Sequence, residues 1–263
     1  MTVVSSVNVN GVRAASGKGL LAWLAANPAD AICLQETRAL PADLPAAFVA
    51  ALAGRHLTLE PAVAPGRSGV AVLSREEPSA VRRGIGVPEF EGSGRYVEVD
   101  LPDVTVASLY LPKGEAGTAR QEQKDRFLQA LAEHLAEARE KAAAGGREMV
   151  VAGDFNIAPA EADIRNWKGN LAHSGFLPHE RAWLAQLCAD GWTDGVRALH
   201  EGPGPYTWWS YRGRAFDNDA GWRIDHVLAT AGLVPERADV ERAPSYDTRW
   251  SDHAPVTVRF GRP

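Results

Sequence analysis

The chain has 263 residues, 45% of them hydrophobic, with two cysteines and a formal net charge of −5. That length and apolar content allow one large α/β domain or two small ones, and they exclude a membrane-spanning helix, because no apolar run approaches the length of a span. The acidic balance does not advertise nucleic-acid binding, and the first strand begins at residue 2 without the basic and apolar regions of a signal peptide, so a cytoplasmic protein is expected.

The amino terminus reads as a strand, Val3-Val4-Ser5-Ser6-Val7-Asn8-Val9, ending in two same-side asparagines, Asn8 and Asn10, and Gly11. An amphipathic stretch follows at Leu20-Leu21-Ala22-Trp23-Leu24, and then a second strand, Ala31-Ile32-Cys33-Leu34-Gln35, runs into Glu36. A strand–helix–strand unit of this kind makes its strands parallel, so Asn8 and Glu36 are expected at one edge of the sheet. A weak helix is read from Asp43 to Leu52. Strands are then expected at His56–Glu60, Gly69–Ser74, Ala80–Gly84, Arg95–Leu101 and Val104–Leu111, with the close spacing of antiparallel neighbours. Thr118, with Gln121 three residues on, has the pattern of a capping box for a long helix to about Ala144, stopped by Gly145-Gly146.

The next run, Met149-Val150-Val151-Ala152, is short and branched, and it ends in Gly153-Asp154-Phe155-Asn156-Ile157-Ala158-Pro159. A carboxylate and a carboxamide two apart on extended chain share a side, so Asp154 and Asn156 are expected to project together from the carboxyl end of a strand. One would orient a water and the other would donate to a phosphoryl oxygen; the plainer alternative is an Asx turn. A further helix is expected from Pro178 to Ala189 and closing strands near Arg223–Ala229 and Pro255–Phe260. Cys33, in a strand, and Cys188, on a helix, are both expected to be small core residues rather than a disulfide.

Two polar pairs, Asp225-His226 and Asp252-His253, lie beside the closing strands. With Glu36 they complete what a metal-assisted hydrolase needs: oxygen ligands, an acid to position water, and an imidazole. Oxygen-only donors point to Mg²⁺ or Mn²⁺ rather than zinc, and the seven histidines show no zinc-type spacing.

Eight segments, in order and spanning nearly the whole chain, resemble the endonuclease/exonuclease/phosphatase superfamily and, within it, the exonuclease III type of abasic-site DNA repair nuclease. They are Asn8-Val9-Asn10-Gly11-Val12-Arg13, Leu34-Gln35-Glu36-Thr37, Gly69-Val70-Ala71-Val72-Leu73-Ser74, Tyr110-Leu111-Pro112-Lys113-Gly114, Gly153-Asp154-Phe155-Asn156-Ile157-Ala158-Pro159, Tyr206-Thr207-Trp208-Trp209, Trp222-Arg223-Ile224-Asp225 and Ser251-Asp252-His253-Ala254-Pro255-Val256. Arg67-Ser68, before Gly69, departs from the aromatic or histidine that relatives often carry there.

The resemblance implies a four-layer α/β/β/α sandwich formed by a single domain over residues 1–263, acting as a monomer. It implies a Mg²⁺-dependent phosphodiesterase that cuts duplex DNA 5′ to abasic sites and processes 3′ ends as exonuclease and phosphatase. Glu36 is the first choice as metal ligand, with Asn8 and Asp252 beside it, although Asp252 serves equally to support the histidine. Asp154 is expected to handle the attacking water and Asn156 to bond the scissile phosphate. Tyr110, by resemblance, contacts the phosphate. Asp225 would orient His253, which acts either as a cation on the phosphate or as a base. Asn10, Trp208 and Arg223 are expected to bind substrate, Trp208 in the pocket for the abasic sugar. Trp208 and Trp209 face opposite ways in extended chain, so at most one belongs to the core. Two rivals stand beside this reading: a phosphatase of small phosphoesters or lipid head groups, and a catalytically silent DNA-binding relative.

Overall fold

The fold was taken from a computed structural model, which describes residues 1–262. The expected parallel pair is present: β1 (Thr2–Asn8) lies beside β2 (Ala31–Gln35) in parallel, with Asn8 opposite Gln35. The connection carries two short helices, α1 (Val12–Ser16) and α2 (Leu20–Ala26). The weak helix read from Asp43 is split into a 3₁₀ turn at Pro41–Asp43 and α3 (Ala46–Ala51). Pro45 lies between them, and its missing N–H interrupts helical bonding.

β3 (His56–Glu60) and β4 (Val70–Ser74) pair antiparallel and extend the first sheet. The chain then crosses to a second sheet with β5 (Ala80–Arg83), β6 (Tyr96–Asp100) and β7 (Val104–Tyr110). α4 (Ala119–Ala144) returns it to β8 (Glu148–Asp154), parallel to β7. α5 (Pro178–Ala189), β9 (Trp192–Asp194), β10 (Asp225–Thr230), β11 (Val234–Val240) and β12 (Val256–Gly261) follow. The strand orders are β11-β12-β1-β2-β4-β3 and β5-β6-β7-β8-β10-β9.

Strand alternation builds the layers. Cys33, Val72, Val106, Val150, Ala152 and Val227 fill the space between the sheets. Their sequence neighbours face outward: Met149, Val151 and Leu228 pack on Phe127, Leu131 and Leu135 of α4 and Leu184 of α5. On the other side Ile32, Leu34 and Leu73 pack on Val12, Leu20, Leu24 and Phe48 of α1, α2 and α3. Three apolar interfaces between four layers make the α/β/β/α sandwich.

Two local expectations are corrected. Cys188 is exposed, because it lies in the last turn of α5, outside the buried face made by Glu180, Leu184 and Leu187. Thr118 does cap α4, accepting from the Arg120 N–H at 3.2 Å, but Gln121 does not close the box. Its amide turns inward to Asp125 and Glu180.

Candidate active site

Sheet register brings three chemical side chains into one row: Tyr110 is opposite Asp154 on the parallel side, and Asp154 is opposite Asp225 on the antiparallel side. Gly153 lets β7 come close, since a Cβ there would lie 1.9 Å from the Leu109 carbonyl oxygen. The other sheet supplies Asn8 and Glu36 from the ends of β1 and β2. The two sheets are stitched together by the Asn8 amide, which donates to Glu36 Oε1 at 2.8 Å and to Asp154 Oδ2 at 2.9 Å. The Asn8 side-chain oxygen Oδ1 accepts the Asn10 N–H at 3.0 Å. Asn8 is fully buried; its amide holds the two acids together, and Oδ1 keeps a second lone pair.

His253 enters from the segment before β12. Its Nδ1 lies 2.9 and 3.1 Å from the Asp225 carboxylate oxygens, and its Nε2 is 3.8 Å from Asp154. Burial disfavours the imidazolium, but the charges of Asp225 and Asp154 outweigh it and raise the His253 pKa to about 10. Burial also drives the Asp154 carboxyl up. The imidazolium pulls it down and Asp225 and Glu36 push it up again, to about 7. Glu36 behaves differently: burial would raise it, but the Asn8 bond and Arg38 keep it below the usual range. Arg38 Nε donates to Glu36 Oε2 at 2.9 Å.

Glu36, Arg38, Asp154 and His253 line a cleft of about 470 Å³ together with Asn10, Tyr110, Asn156, Trp208 and Asp252. A cleft of similar size between α2 and β11, lined by Trp23, Arg237, Glu241 and Arg259, lies away from the acid–imidazole cluster. Asp252 binds Asn10 Nδ2 at 2.9 Å with one oxygen and Trp208 Nε1 at 3.0 Å with the other. It thereby orients two cleft residues. Asn156 adopts a left-handed conformation, φ 49°, which an Asx side chain tolerates. Its N–H bonds Asp154 Oδ1 at 2.9 Å and one amide hydrogen goes to the Leu111 carbonyl at 3.0 Å, leaving the second for a ligand. Burial, with the charges of Glu36 and Asp154, keeps the Tyr110 phenol protonated far above its ordinary pKa, so it is a donor. Trp209 is buried, while Trp208 is half-buried on the cleft wall.

Arg223 is not brought to the cleft. It is fully buried, with Nε 2.6 Å from Asp163 and Nη1 2.6 Å from Asp194, so the expected substrate contact is corrected to an internal ion pair. The structure adds residues that motif reading passed over. Lys124 of α4 is fully buried, with Nζ 2.9 Å from the Asn156 carbonyl oxygen and 2.7 Å from Glu180. Glu180 in turn accepts the N–H groups of Gly175 and Leu177, fixing the opposite cleft wall. Lys124 was detectable in principle: it falls on the helical stripe of Gln121, Phe127, Leu128 and Leu131, where a charge must be paired. Arg95 stacks 4.9 Å over the Tyr110 ring and donates to its carbonyl oxygen at 3.2 Å.

Glu36, Asp154, Asp225 and Asp252 face His253 and Arg38, which leaves an excess of carboxylates around the cleft. That oxygen-rich, acid-heavy donor set, with Asp154 forced up by burial and then by Asp225 and Glu36, fits a hard divalent cation. Asp154, Asp225 and His253 form the tightest such group among the described residues. Its imidazole is bonded to Asp225 through Nδ1, while Glu36 lies across the cleft on the other sheet.

The Endonuclease/Exonuclease/phosphatase family profile matches residues 5–253. An exodeoxyribonuclease of Bacillus subtilis (strain 168) is 34% identical over 96% of this chain and 97% of its own length. The DNA repair nuclease APEX1 of Danio rerio is 32% identical over 97% of this chain and 81% of its own. Among solved structures, the 3′ phosphatase NExo from Neisseria, bound to a product DNA hairpin, superposes with a TM-score of 0.88 at 29% identity, covering 99% of this chain and 100% of that one. An AP endonuclease from Archaeoglobus fulgidus gives 0.87 at 26% identity, covering 99% of each chain.

Proposed function

Because the chain belongs to the endonuclease/exonuclease/phosphatase family, we propose that it is a metal-dependent DNA repair phosphodiesterase. It cleaves duplex DNA 5′ to abasic sites and clears 3′ ends as a 3′–5′ exonuclease and 3′-phosphatase. The observation that carries this reading is the union of Asp154, Asp225 and His253 with Glu36 across the two sheets, in a cleft walled by Trp208. Relatives acting on DNA, including the NExo phosphatase and the APEX1 repair nuclease, support the substrate class.

In this reading Asp154 orients the attacking water and takes its proton, a task suited to a carboxyl pushed up to about 7. His253, held by Asp225, acts as a cation on a non-bridging phosphate oxygen rather than as the base, since its pKa of about 10 keeps it protonated at neutral pH. The free amide hydrogen of Asn156 and the Tyr110 hydroxyl donate to the same phosphate, where negative charge grows in the transition state. Glu36 would hold a divalent cation, Mg²⁺ or Mn²⁺, with Asn10 offering a carbonyl oxygen; when bound it adds positive charge against the phosphate. Trp208 provides an apolar wall for a base-free sugar, whose extrusion is cheap because no base has to be unstacked. Asn8 and His253 come from opposite ends of the chain and both contact Asp154, which supports a single domain.

The test is a duplex with one abasic analogue, incubated with Mg²⁺, with Mn²⁺ or with EDTA. Cleavage 5′ to the lesion that EDTA abolishes and either ion restores is expected. Full activity in EDTA, or no cleavage of DNA alongside hydrolysis of inositol phosphates or sphingomyelin, would overturn the assignment.

A further inference from the structure

Beside the catalytic cleft, Arg249 is buried to 8% exposure and has no ion-pair partner among the described residues. Its Nη1 donates to the Trp209 carbonyl oxygen at 3.2 Å, while Nε and Nη2 bond nothing. Three rings take the place of hydrogen-bond acceptors: the guanidinium carbon lies 4.2 Å from the Tyr246 ring centre, 4.6 Å from Phe216 and 4.8 Å from Tyr211. A cation desolvated against aromatic faces is held by their quadrupoles. Arg249 lies against both tyrosine rings, and each side chain still keeps surface open to solvent: Tyr211 is 49% exposed and Tyr246 39% exposed, their rings edge to face at 6.4 Å.

The position of this pair matters. Tyr211 itself lines the catalytic cleft with Asn10 and Asp252. Arg249 stands two residues before Ser251-Asp252-His253, and the Trp209 backbone that receives it is bonded to the Asp252 carbonyl oxygen at 3.1 Å. Arg212 and Arg214 are exposed on the same loop as Tyr211. Flat, immobilised aromatic faces flanked by cations and continuous with a phosphate-binding cleft match the chemistry of a nucleotide: base on ring, phosphate on arginine.

We propose that Tyr211 and Tyr246, braced by Arg249, form a stacking platform for an unpaired nucleobase in the strand that enters the cleft. The proposal rests on the DNA reading above and extends it to the recognition of frayed or overhanging ends. A base inside the duplex is stacked on both faces and held by its partner, whereas an unpaired one can turn onto a ring at no cost in pairing. Because Arg249 has already immobilised the rings, little side-chain entropy is lost on binding.

The test compares two duplexes differing only at one end, blunt or with an unpaired 3′ overhang, and measures Kd by fluorescence anisotropy in EDTA. The same DNAs are assayed for cleavage by the wild-type protein with Mg²⁺. Tyr246→Ala is expected to weaken binding of the overhang duplex roughly tenfold more than that of the blunt duplex, the scale of one lost stacking contact. Tyr246→Phe is expected to restore it, since stacking needs the ring and not the hydroxyl. Equal losses on both duplexes, no loss on either, or failure of the Phe variant to restore binding would overturn the platform. Wild-type protein that cleaves neither duplex would instead refute the nuclease reading. Tyr246 is exposed on a surface 3₁₀ turn, so the variants are expected to fold, and their melting curves verify it.

Discussion

Asp225 and His226 are neighbours on β10, yet their side chains serve two buried clusters that handle charge in opposite ways. Asp225 turns to His253 and the cleft, where acids outnumber cations and Asp154 is forced up to about 7. His226 turns to the interior, where its Nε2 bonds the Ile157 carbonyl oxygen at 2.9 Å and its Nδ1 lies 3.0 Å from Arg223. There Asp163 and Asp194 are matched by Arg223 and Arg197. Burial alone would raise both carboxyls, but the arginines outweigh it and hold them below their ordinary values. A buried cluster with balanced charge has little left to offer a substrate. A cluster with surplus acid retains an unmet demand for positive charge, which a cation and a phosphate-transfer reaction can use.

The largest effect is expected from Asp154→Asn, which keeps the shape of the catalytic cluster and removes its proton acceptor. Single-turnover cleavage should fall by about two to four orders of magnitude with DNA affinity retained. Weakened binding at an undiminished rate would assign Asp154 to binding and erase the contrast between the clusters. Arg223→Met should act on the other cluster, leaving Asp163 and Asp194 buried without a shared partner. A loss of about 3–5 kcal/mol in denaturant unfolding is expected, with the folded fraction still cleaving at the wild-type rate. Selective loss of DNA binding at full stability would return Arg223 to the substrate.

A smaller change is expected at the rim of the cleft. Trp208→Ala should slow cleavage of abasic duplex by roughly ten- to a hundredfold, the scale of one aromatic stacking contact. Circular dichroism should show an intact fold, because Trp209 packs on the other side. A folded variant cutting at the wild-type rate would leave Trp208 with packing alone.

The smallest and most diagnostic difference is in pH. Asp163 and Asp194 have depressed folded pKa values, so their stabilisation is complete above about pH 4, the unfolded carboxylate value, and is lost as pH falls through the folded values. His253, raised to about 10, acts in the opposite sense: its contribution is complete below its unfolded value near 6.5 and is lost as pH rises through about 10. Asp154, raised to about 7, reinforces that trend, since its ionisation on going from about pH 4 to 7 destabilises the folded state. In EDTA, the melting temperature of Asp154→Asn relative to wild type should therefore climb across that interval. A gap that stays constant with pH would mean that the carboxyl is not raised.

Much of this was readable along the chain. The long helix expected from Thr118 to Ala144 is α4, and the one from Pro178 to Ala189 is α5, because capping and stop residues are local signals. β9 and β11 were not read. β9 has three residues, and β11 carries Pro235, Glu236, Arg237 and Asp239 on an exposed sheet edge, so neither has an alternating apolar pattern; each exists because a neighbouring strand pairs with it. Glu36 and Asp154 could be singled out because each follows or ends an apolar strand, Asp225 because it begins one, and Tyr110 only by resemblance. Arg223 could not be separated from them, since its neighbour Asp225 does face the site and only packing reveals which side chain turns inward.

The sequence by itself determined most of the elements and the set of residues with chemical capacity, since capping, periodicity and strand ends are short-range properties. Tertiary structure alone decided how those residues divide. It bound Asn8 across two sheets to Glu36 and Asp154, sent His253 to the cleft and His226 to the interior, and buried Lys124 beneath the Asn156 turn. Charge interactions depend on distance and burial, and both are set by residues far apart in the chain: Asn8 and Asp154 are 146 positions apart, with their side chains 2.9 Å from each other.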